Sequence, residues 1–187
     1  MRLYHTGKLE IREPDIRRGR KNADFGQGFY LTPDMEFARR WAGADAIVNE
    51  YELNTDGLLI HRFRRSEDWF NYIFCNRRAS DSLSADLVIG PIANDTIFET
   101  FGIISSGYLK PPDAMKLLMI GPEYTQVAVK TEKAVRQLRW LRSEPVTGTD
   151  AALRKAEQDA YDAIFAKLLP EITGQSETNN ILKGAVL

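Results

Sequence analysis

The sequence predicts a mixed fold in which short strands alternate with helices around one hydrophobic core. The chain has 187 residues, of which 43% are hydrophobic, enough for one core with an appendage. Short apolar or alternating segments bounded by glycine and proline are typical of strands, and longer segments place apolar residues at helical spacing. Short strands between helices would equally suit a parallel sheet, so periodicity alone leaves the strand directions open.

The predicted elements follow one another from residue 3 to residue 169. Strands are predicted at residues 3–5, 29–31, 47–53, 58–63, 86–92 and 123–130. Helices are predicted at residues 34–44, 67–78, 93–106, 112–120, 132–141 and 149–169. Ser66 and Thr131 are predicted N-caps, and Asn94 or Asp95 would cap the helix at 93–106, which leaves the other residue for a different purpose. The last residues, 174–187, are expected to be loosely held.

Composition and charge argue against several classes of protein. The 25 basic and 26 acidic residues give a net charge of −1, so the chain as a whole lacks the excess of basic residues that is typical of nucleic-acid-binding proteins. One cysteine, Cys75, and two histidines, His5 and His61, allow no intrachain disulfide and argue against a zinc site. The N-terminus does not resemble a signal peptide, and no segment has membrane-spanning length. We therefore expect a cytoplasmic protein that does not associate with membranes.

A glycine-rich stretch carries the main local signal of the chain. Gly26 and Gly28 directly precede the apolar run at residues 29–31. Glycine tolerates positive φ and lets the backbone pass close to another group because it has no Cβ. The pattern predicts a tight turn, here called the glycine turn (residues 24–28), which places Tyr30 in a buried strand. Such an arrangement suits a pocket for a ligand with a flat ring and a phosphate-bearing tail. A β-turn before a core strand would explain the two glycines as well.

Residues 11–22 are predicted to form an exposed loop, here called the basic loop, that leads into the glycine turn. Five basic residues lie in it, namely Arg12, Arg17, Arg18, Arg20 and Lys21. Its apolar content is too low for a core element, so a solvated loop is one interpretation. The other is a loop folded over an anion, because arginine supplies paired donors that fit a pyrophosphate.

Three separated segments of the chain resemble a known group of enzymes. They are Tyr4-His5-Thr6-Gly7, Phe25-Gly26-Gln27-Gly28-Phe29-Tyr30, and a late strand led by Gln126. Their order resembles the His-Tyr-Glu triad of the ADP-ribosyltransferase superfamily, on its poly(ADP-ribose) polymerase and diphtheria-toxin side. The block that begins at Asp24, together with Gly-Pro-Ile-Ala-Asn-Asp at residues 90–95, is also similar to a bacterial family of unknown function. The likeness spans about residues 3–140.

The resemblance implies an α+β fold of the ADP-ribosyltransferase type. Two packed, strongly bent and mainly antiparallel β-sheets would be surrounded by helices, with an extra C-terminal helix outside the likeness. Residues 1–145 would form the NAD-binding domain, and residues 146–187 would form a C-terminal helical appendage and tail. NAD would be the substrate, and breaking its nicotinamide–ribose bond creates an oxocarbenium-like sugar.

The resemblance also implies roles for residues at the nicotinamide end of NAD. His5 would hydrogen-bond a ribose hydroxyl. Thr6, which is followed by Gly7, would hold the carboxamide through its backbone. The resembled enzymes place a second aromatic residue eleven positions after the tyrosine, and that position is Trp41 here. Tyr30 and Trp41 would therefore sandwich the nicotinamide ring.

The glycine turn and the basic loop would hold the rest of the ligand. Around Phe25, the residues Gly26 and Gly28 would let the backbone approach NAD. Arg20 of the basic loop would face the pyrophosphate.

The third triad position departs from the family pattern, because Gln126 stands where the resembled enzymes have glutamate. Glutamine can still bind a ribose hydroxyl, but it brings no negative charge to the developing cation. Losing one such group can cost about 3 to 4 kcal/mol of transition-state stabilisation. Asp95 and Glu123 are the candidate replacement acids, and Asp95 is favoured because it lies in the family-like block. We expect single transfer rather than chain elongation.

The sequence thus predicts an NAD-dependent mono-ADP-ribosyltransferase, a bacterial toxin or effector that modifies an intracellular protein or nucleic acid. The C-terminal helix would offer a docking place for a neutralising antitoxin protein. An NAD glycohydrolase, in which water is the acceptor, is a variant of this prediction. The alternative is a non-catalytic module that binds NAD or ADP-ribose, with Gln126 marking lost catalysis.

Modification of nucleic acid is a further alternative. Five arginines would line a phosphate track, namely Arg62, Arg64, Arg65, Arg77 and Arg78. Scattered surface arginines at helix ends would explain the same residues.

Overall fold

A computed structural model gives the fold and describes residues 1–43, 45–79, 81, 83–97, 109–146 and 148–173. The chain divides into two compact units. They are Met1–Ile92 with Glu123–Lys155, and Ala93–Pro122 with Ala156–Leu187. No helix in the described ranges is both long and apolar enough to cross a membrane.

Among the described residues of the first unit, seven strands form two sheets. They are β1 (Arg2–Gly7), β2 (Phe29–Leu31), β3 (Ile47–Leu53), β4 (Ile60–Arg62), β5 (Leu87–Pro91), β6 (Thr125–Val129) and β7 (Leu138–Pro145). One sheet has the order β1-β3-β7 and is antiparallel throughout. The other has the order β2-β6-β5-β4, in which only the β4–β5 pair is parallel. The α+β class predicted from the sequence is confirmed, and most strand pairs are antiparallel.

The described structure also contains six α-helices and one short 3-10 helix, Ile16–Arg18, in the basic loop. The α-helices are α1 (Met35–Trp41), α2 (Glu67–Asn76), α3 (Asn94–Ile97), α4 (Pro111–Leu118), α5 (Glu132–Val135) and α6 (Gly148–Thr173). The predicted N-caps of α2 and α5 are confirmed. The Ser66 hydroxyl accepts a hydrogen bond from the amide of Trp69, and the Thr131 hydroxyl accepts one from the amide of Ala134.

The two sheets pack against each other through one buried apolar cluster. The first sheet contributes Leu3, Tyr51, Leu53 and Leu138, and the second contributes Phe29, Leu31, Leu87, Ile89, Val127 and Val129. Burying one such side chain stabilises the fold by about 1.5 to 3 kcal/mol, so this cluster holds the sheets together. Two backbone hydrogen bonds, from Tyr4 N to Thr32 O and from Thr32 N to Tyr4 O, also join β1 to the segment after β2.

The predicted helix at 132–141 is wrong, because α5 ends at Val135 and the chain forms β7 from Leu138. Leu138 is buried and the next residue, Arg139, is exposed, which is the alternation of a strand. β7 pairs with β3 along its whole length, from Leu138 opposite Leu53 to Pro145 opposite Ile47. This ladder stabilises the strand more than local helix propensity stabilises a longer helix.

Several element ends also differ from the predictions. The helix expected at 34–44 ends at Trp41, the strand expected at 58–63 covers only Ile60–Arg62, and the C-terminal helix runs on to Thr173. Asn94 and Asp95 both lie inside α3, so the prediction that one of them is its N-cap is wrong. Residues 98–106 of that predicted helix, and the tail at 174–187, lie outside the described residues.

Candidate functional site

A cleft in the first unit brings β1, β2 and the basic loop together. Its volume is about 560 Å³. Its walls are formed by His5, Leu9, Glu10, Ile11, Arg12, Glu13, Asp15, Arg18, Gly19, Arg20, Gly28, Phe29 and Tyr30. Three of the predicted site residues that come from different elements, His5, Tyr30 and Arg20, therefore share one cleft.

The ring of His5 is held with one nitrogen available to a ligand. Its Nδ1 lies 2.7 Å from the carbonyl oxygen of Tyr30, and because a carbonyl only accepts, Nδ1 carries the proton. Burial lowers the pKa of His5, so the ring is neutral at pH 7 and Nε2 is an acceptor. A Cβ at Gly7 would lie 3.3 Å from Nε2, so glycine at this position leaves the acceptor uncovered.

The backbone of Thr6 lies at the outer edge of β1. The amide and carbonyl of Tyr4 both bond Thr32, on the side of β1 that faces away from β3. Backbone groups two residues apart in a strand point the same way, so the amide and carbonyl of Thr6 face that edge too. No backbone partner occupies them there within the described residues. The Thr6 hydroxyl donates to the carbonyl of Ala38 at 2.7 Å.

Tyr30 closes the glycine turn with its own hydroxyl. The hydroxyl donates to the carbonyl of Gly26 at 2.6 Å and accepts from the amide of Phe25 at 2.9 Å. Burial and the nearby Asp24 carboxylate raise the pKa of Tyr30, so the hydroxyl stays protonated. Lys130, which follows β6, donates to the carbonyl of Phe25 at 2.6 Å and supports the turn.

The two glycines of the turn are required by contacts within the protein. Gly26 has φ of +76°, and a Cβ there would lie 2.7 Å from a carboxylate oxygen of Asp81. A Cβ at Gly28 would lie 2.7 Å from the carbonyl oxygen of Val129. Gly28 lines the cleft and Gly26 does not. The predicted approach of this backbone to a ligand therefore remains a prediction, and it concerns Gly28 more directly.

The basic loop is anchored at its start by β3. The buried amide of Asn49 accepts from the backbone amide of Ile11 at 2.8 Å and donates to the carbonyl of Leu9 at 3.0 Å. The hydroxyl of Tyr51 donates to the carbonyl of Ile11 at 2.6 Å. These three hydrogen bonds fix the point where the loop leaves the sheet.

The end of the basic loop is fixed to the glycine turn. The side-chain amide of Gln27 donates to the carbonyls of Arg17 and Gly19 at 2.8 and 3.1 Å. Gly19 packs so closely on the turn that a Cβ there would lie 2.1 Å from the carbonyl oxygen of Gly28. Arg20 follows directly, lines the cleft and makes no ion pair with any described residue. Its guanidinium is therefore available for an anion.

Gln126 does not line the cleft but lies buried beside the glycine turn. Its Nε2 donates to Oδ2 of Asp24 at 3.0 Å and to the carbonyl oxygen of Pro91 at 3.2 Å. Oδ1 of Asp24 accepts from Nε and Nη2 of Arg77 at 2.9 and 2.6 Å. On β6, Ala128 lies opposite Tyr30, so Gln126 shares the face of the sheet that carries the Tyr30 side chain.

Asp24 is the acid next to Gln126, and the sequence did not identify it as a site residue. The only signal was its place at the head of the glycine turn. Of the two predicted acids, Glu123 is half exposed and lies 3.9 Å from Arg65. Asp95 belongs to the second unit, where it is buried and close to the Thr96 hydroxyl.

Trp41, the second aromatic residue predicted for the nicotinamide ring, lies at the end of α1. Its ring centroid is 5.8 Å from that of Phe37, and the guanidinium of Arg154 lies 5.9 Å from its ring. It is not among the residues that line the cleft. The sandwich of Tyr30 and Trp41 around a ring thus stays a prediction.

The arrangement defines an α+β protein with a cleft between a strand edge and an arginine-bearing loop. In the part of the chain that the structure describes, no group of three His, Cys, Asp or Glu side chains is arranged to hold a metal ion. Residues 1–140 match the model of a family described as "Protein of unknown function (DUF3990)", and the chain belongs to this family. No curated protein matches the chain.

Proposed function

We propose that this protein is an NAD-dependent mono-ADP-ribosyltransferase with the fold of that superfamily. The observation that carries the proposal is the cleft shared by His5, Tyr30 and Arg20. The sequence resemblance assigns His5 and Tyr30 to NAD, and the basic loop offers Arg20 for the pyrophosphate. These assignments do not depend on the positions of the residues in space. The nicotinamide riboside end of NAD would lie by β1, and the pyrophosphate would lie by the basic loop.

The nicotinamide end is recognised by groups that β1 presents in a fixed geometry. Nε2 of His5 accepts a hydrogen bond from a ribose hydroxyl, which its neutral state permits. The Thr6 amide donates to the carboxamide oxygen, and the Thr6 carbonyl accepts from the carboxamide nitrogen. A carboxamide has one acceptor and two donor hydrogens, so this edge satisfies it in the way a neighbouring strand would.

The pyrophosphate end is recognised by charge. Arg20 lines the cleft without a carboxylate partner among the described residues, while the Arg12 and Arg17 side chains are paired with Glu10 and Asp15. Arginine donates two parallel hydrogen bonds to a phosphate, which fixes orientation as well as position. The basic loop therefore supplies one cation that is ready for the ligand.

Cleavage of the nicotinamide–ribose bond places positive charge on the sugar. Gln126 supplies an amide oxygen rather than a carboxylate, and the Asp24 charge beside it is shared with Arg77. Electrostatic stabilisation of the transition state is often the largest catalytic contribution. We therefore expect slow, single transfer of ADP-ribose and no chain elongation.

The acceptor is proposed to be an intracellular macromolecule, protein or nucleic acid, which a bacterial toxin or effector would modify. The helix α6 presents Leu153 and Ile164 to solvent, each at least 44% exposed. An antitoxin protein that docks on this helix would cover such residues. The arginine track suggested for nucleic acid has less support, because Arg77 is committed to Asp24 and Arg78 lies over the ring of Phe74.

A second candidate is a non-catalytic module that binds NAD or ADP-ribose. The observation in its favour is that Gln126 is buried and lies outside the cleft wall. NAD glycohydrolase activity, with water as the acceptor, would be a variant of the first proposal, since the same bond is broken.

Isothermal titration with NAD, with free nicotinamide followed in the same sample, tests these proposals. Binding with nicotinamide release supports an enzyme, and Gln126→Ala should then abolish release. The matched control is Gln137→Ala, which removes a glutamine from a surface turn of the same unit. Binding without release, changed by Gln126→Ala only in affinity, favours the module. A wild-type protein that binds neither NAD nor, in a parallel titration, ADP-ribose refutes both.

A further inference from the structure

A buried polar cluster ties the glycine turn to β6 and to the end of α2. It consists of Asp24, Asn76, Arg77 and Gln126, and the exposure of Asp24 and Gln126 is 5% and 7%. The side-chain amide of Asn76 donates to the backbone carbonyl of Asp24 at 3.0 Å, while Arg77 binds the Asp24 carboxylate. Buried polar groups of this kind are costly unless they are paired, so the cluster has one favourable arrangement.

The cluster fixes which way round the amide of Gln126 lies. Both neighbours of the amide, the Asp24 carboxylate and the Pro91 carbonyl, accept hydrogen bonds and cannot donate them. Nε2 must therefore face these two acceptors with both of its hydrogens. The amide oxygen then points away from them, and no described residue donates to it.

Asp24 is fixed in turn, so the orientation of Gln126 does not depend on a mobile side chain. The two bonds from Arg77 to Oδ1 leave Oδ2 directed at the amide. A neutral side chain in place of Asp24 could donate as well as accept, and Gln126 could then turn over and present its nitrogen instead of its oxygen.

We propose that Asp24 is a positioning residue that acts through Gln126 and holds the amide oxygen ready to accept a ribose hydroxyl. The proposal rests on the proposed function for the role of that oxygen. The Asp24–Gln126 pair combines one negative charge, which is shared with Arg77, with one hydrogen bond between the turn and β6. Compared with the glutamate of the resembled enzymes, the negative charge lies on the glycine turn instead of on β6.

This proposal predicts that the carboxylate and the amide can be swapped between positions 24 and 126 with the hydrogen bond between them retained. In Asp24→Asn combined with Gln126→Glu, the new amide donates to the new carboxylate across the same 3.0 Å contact. Pro91 O still accepts from the indole nitrogen of Trp69 at 2.9 Å, but it then faces a carboxylate oxygen across the 3.2 Å contact, which is unfavourable in both variants that carry Gln126→Glu. The single change Gln126→Glu instead places two carboxylates side by side, which is unfavourable.

The experiment compares wild type, Asp24→Asn, Gln126→Glu and the double variant for nicotinamide release, NAD affinity and thermal unfolding. Asp56→Asn, at an exposed turn, is the control for an Asp to Asn change. We expect Asp24→Asn to lower kcat by roughly 10- to 100-fold, less than loss of a direct transition-state contact because Asp24 acts through Gln126, with little change in NAD affinity. The double variant should release nicotinamide faster than Gln126→Glu alone, because only the contact between positions 24 and 126 is restored and the one to Pro91 O is not.

An independent measurement follows the Gln126 side-chain amide hydrogens by NMR. In wild type both should exchange slowly with solvent, and in Asp24→Asn at least one should exchange faster. Unchanged kcat in a folded Asp24→Asn variant, or a double variant no better than the worse single variant, overturns the proposal. A wild-type protein that neither binds nor cleaves NAD refutes the proposed function, and the catalytic role of Asp24 fails with it. Binding and slow cleavage in wild type, without the expected effects of the variants on kcat, refute the positioning role alone.

Discussion

Gly19→Ala should separate the basic loop from the glycine turn without removing any functional group. The added Cβ would lie 2.1 Å from the carbonyl oxygen and 2.9 Å from the amide nitrogen of Gly28. Carbon atoms in good contact lie more than about 3 Å from their neighbours, so the two backbones must part by about 1 Å. Because both contacts are with backbone, no side-chain rotation can relieve them.

The expected loss of affinity follows from the energy of this clash. Overpacking of this kind costs about 1 to 3 kcal/mol when the native arrangement is enforced. If NAD binding requires Arg20 at its native place, that energy opposes binding, and the affinity should fall by roughly five- to 150-fold. Binding of nicotinamide alone should not change, because nicotinamide has no group that reaches the arginine.

Titration calorimetry with NAD, inorganic pyrophosphate and nicotinamide measures the three affinities. Gly43→Ala is the matched control, because a Cβ at Gly43 meets no atom within 4 Å. A folded Gly19→Ala protein that binds NAD and pyrophosphate as tightly as wild type would refute the reasoning. Equal weakening of nicotinamide would refute it as well, since the effect would then not lie at the phosphate end.

Three further perturbations have expected outcomes. Gln27→Ala removes two hydrogen bonds to the basic loop, about 0.5 to 1.5 kcal/mol each, and should weaken pyrophosphate binding in the same titration while nicotinamide binding is retained. Because the pKa of His5 in the fold lies below its ordinary value of 6.5, the unfolded chain takes up this proton first as the pH falls. The free energy of unfolding in urea should therefore fall below pH 6.5, and less so in His5→Gln; an identical pH dependence in both proteins would contradict this. Thr131→Ala removes the N-cap of α5 and a 2.6 Å hydrogen bond to Asp86, and should lower the free energy of unfolding by about 1 to 2 kcal/mol, whereas Thr131→Ser should not.

The local sequence pattern was sufficient to predict those strands whose apolar and polar residues, or flanking glycine and proline, mark the strand directly. The strand predicted at 47–53 is observed with the same bounds because its residues alternate, and the strand at 29–31 because glycine and proline bracket a short apolar run. β7 was missed because Thr131 and the residues after it begin a real helix, and nothing local marks its early end at Val135. The pairing of β7 with β3 is a long-range contact, which a window along the chain does not contain.

The residues of the candidate site likewise fall into those that the sequence indicated and one that it did not. The resemblance pointed to His5 and Tyr30 and the basic loop offered Arg20, and the cleft includes all three. That they bind one ligand stays a prediction. Asp24 could not be identified, because its meaning depends on Arg77 and Gln126, which lie 53 and 102 residues away in the chain. From the sequence alone, a buried acid cannot be distinguished from any other acid at a turn, because its burial depends on partners that are distant in the chain.

The anchoring of the basic loop at both ends has a consequence for the entropy of binding. Asn49 and Tyr51 hold its start, and Gln27 holds its end, so the segment between has few conformations left to lose. Ordering a flexible loop costs about 1 to 2 kcal/mol for each residue fixed, and a loop that is already ordered avoids this cost. Even a single arginine contact to a phosphate can then contribute its full strength, and the heat released on binding should not be offset by a large unfavourable entropy.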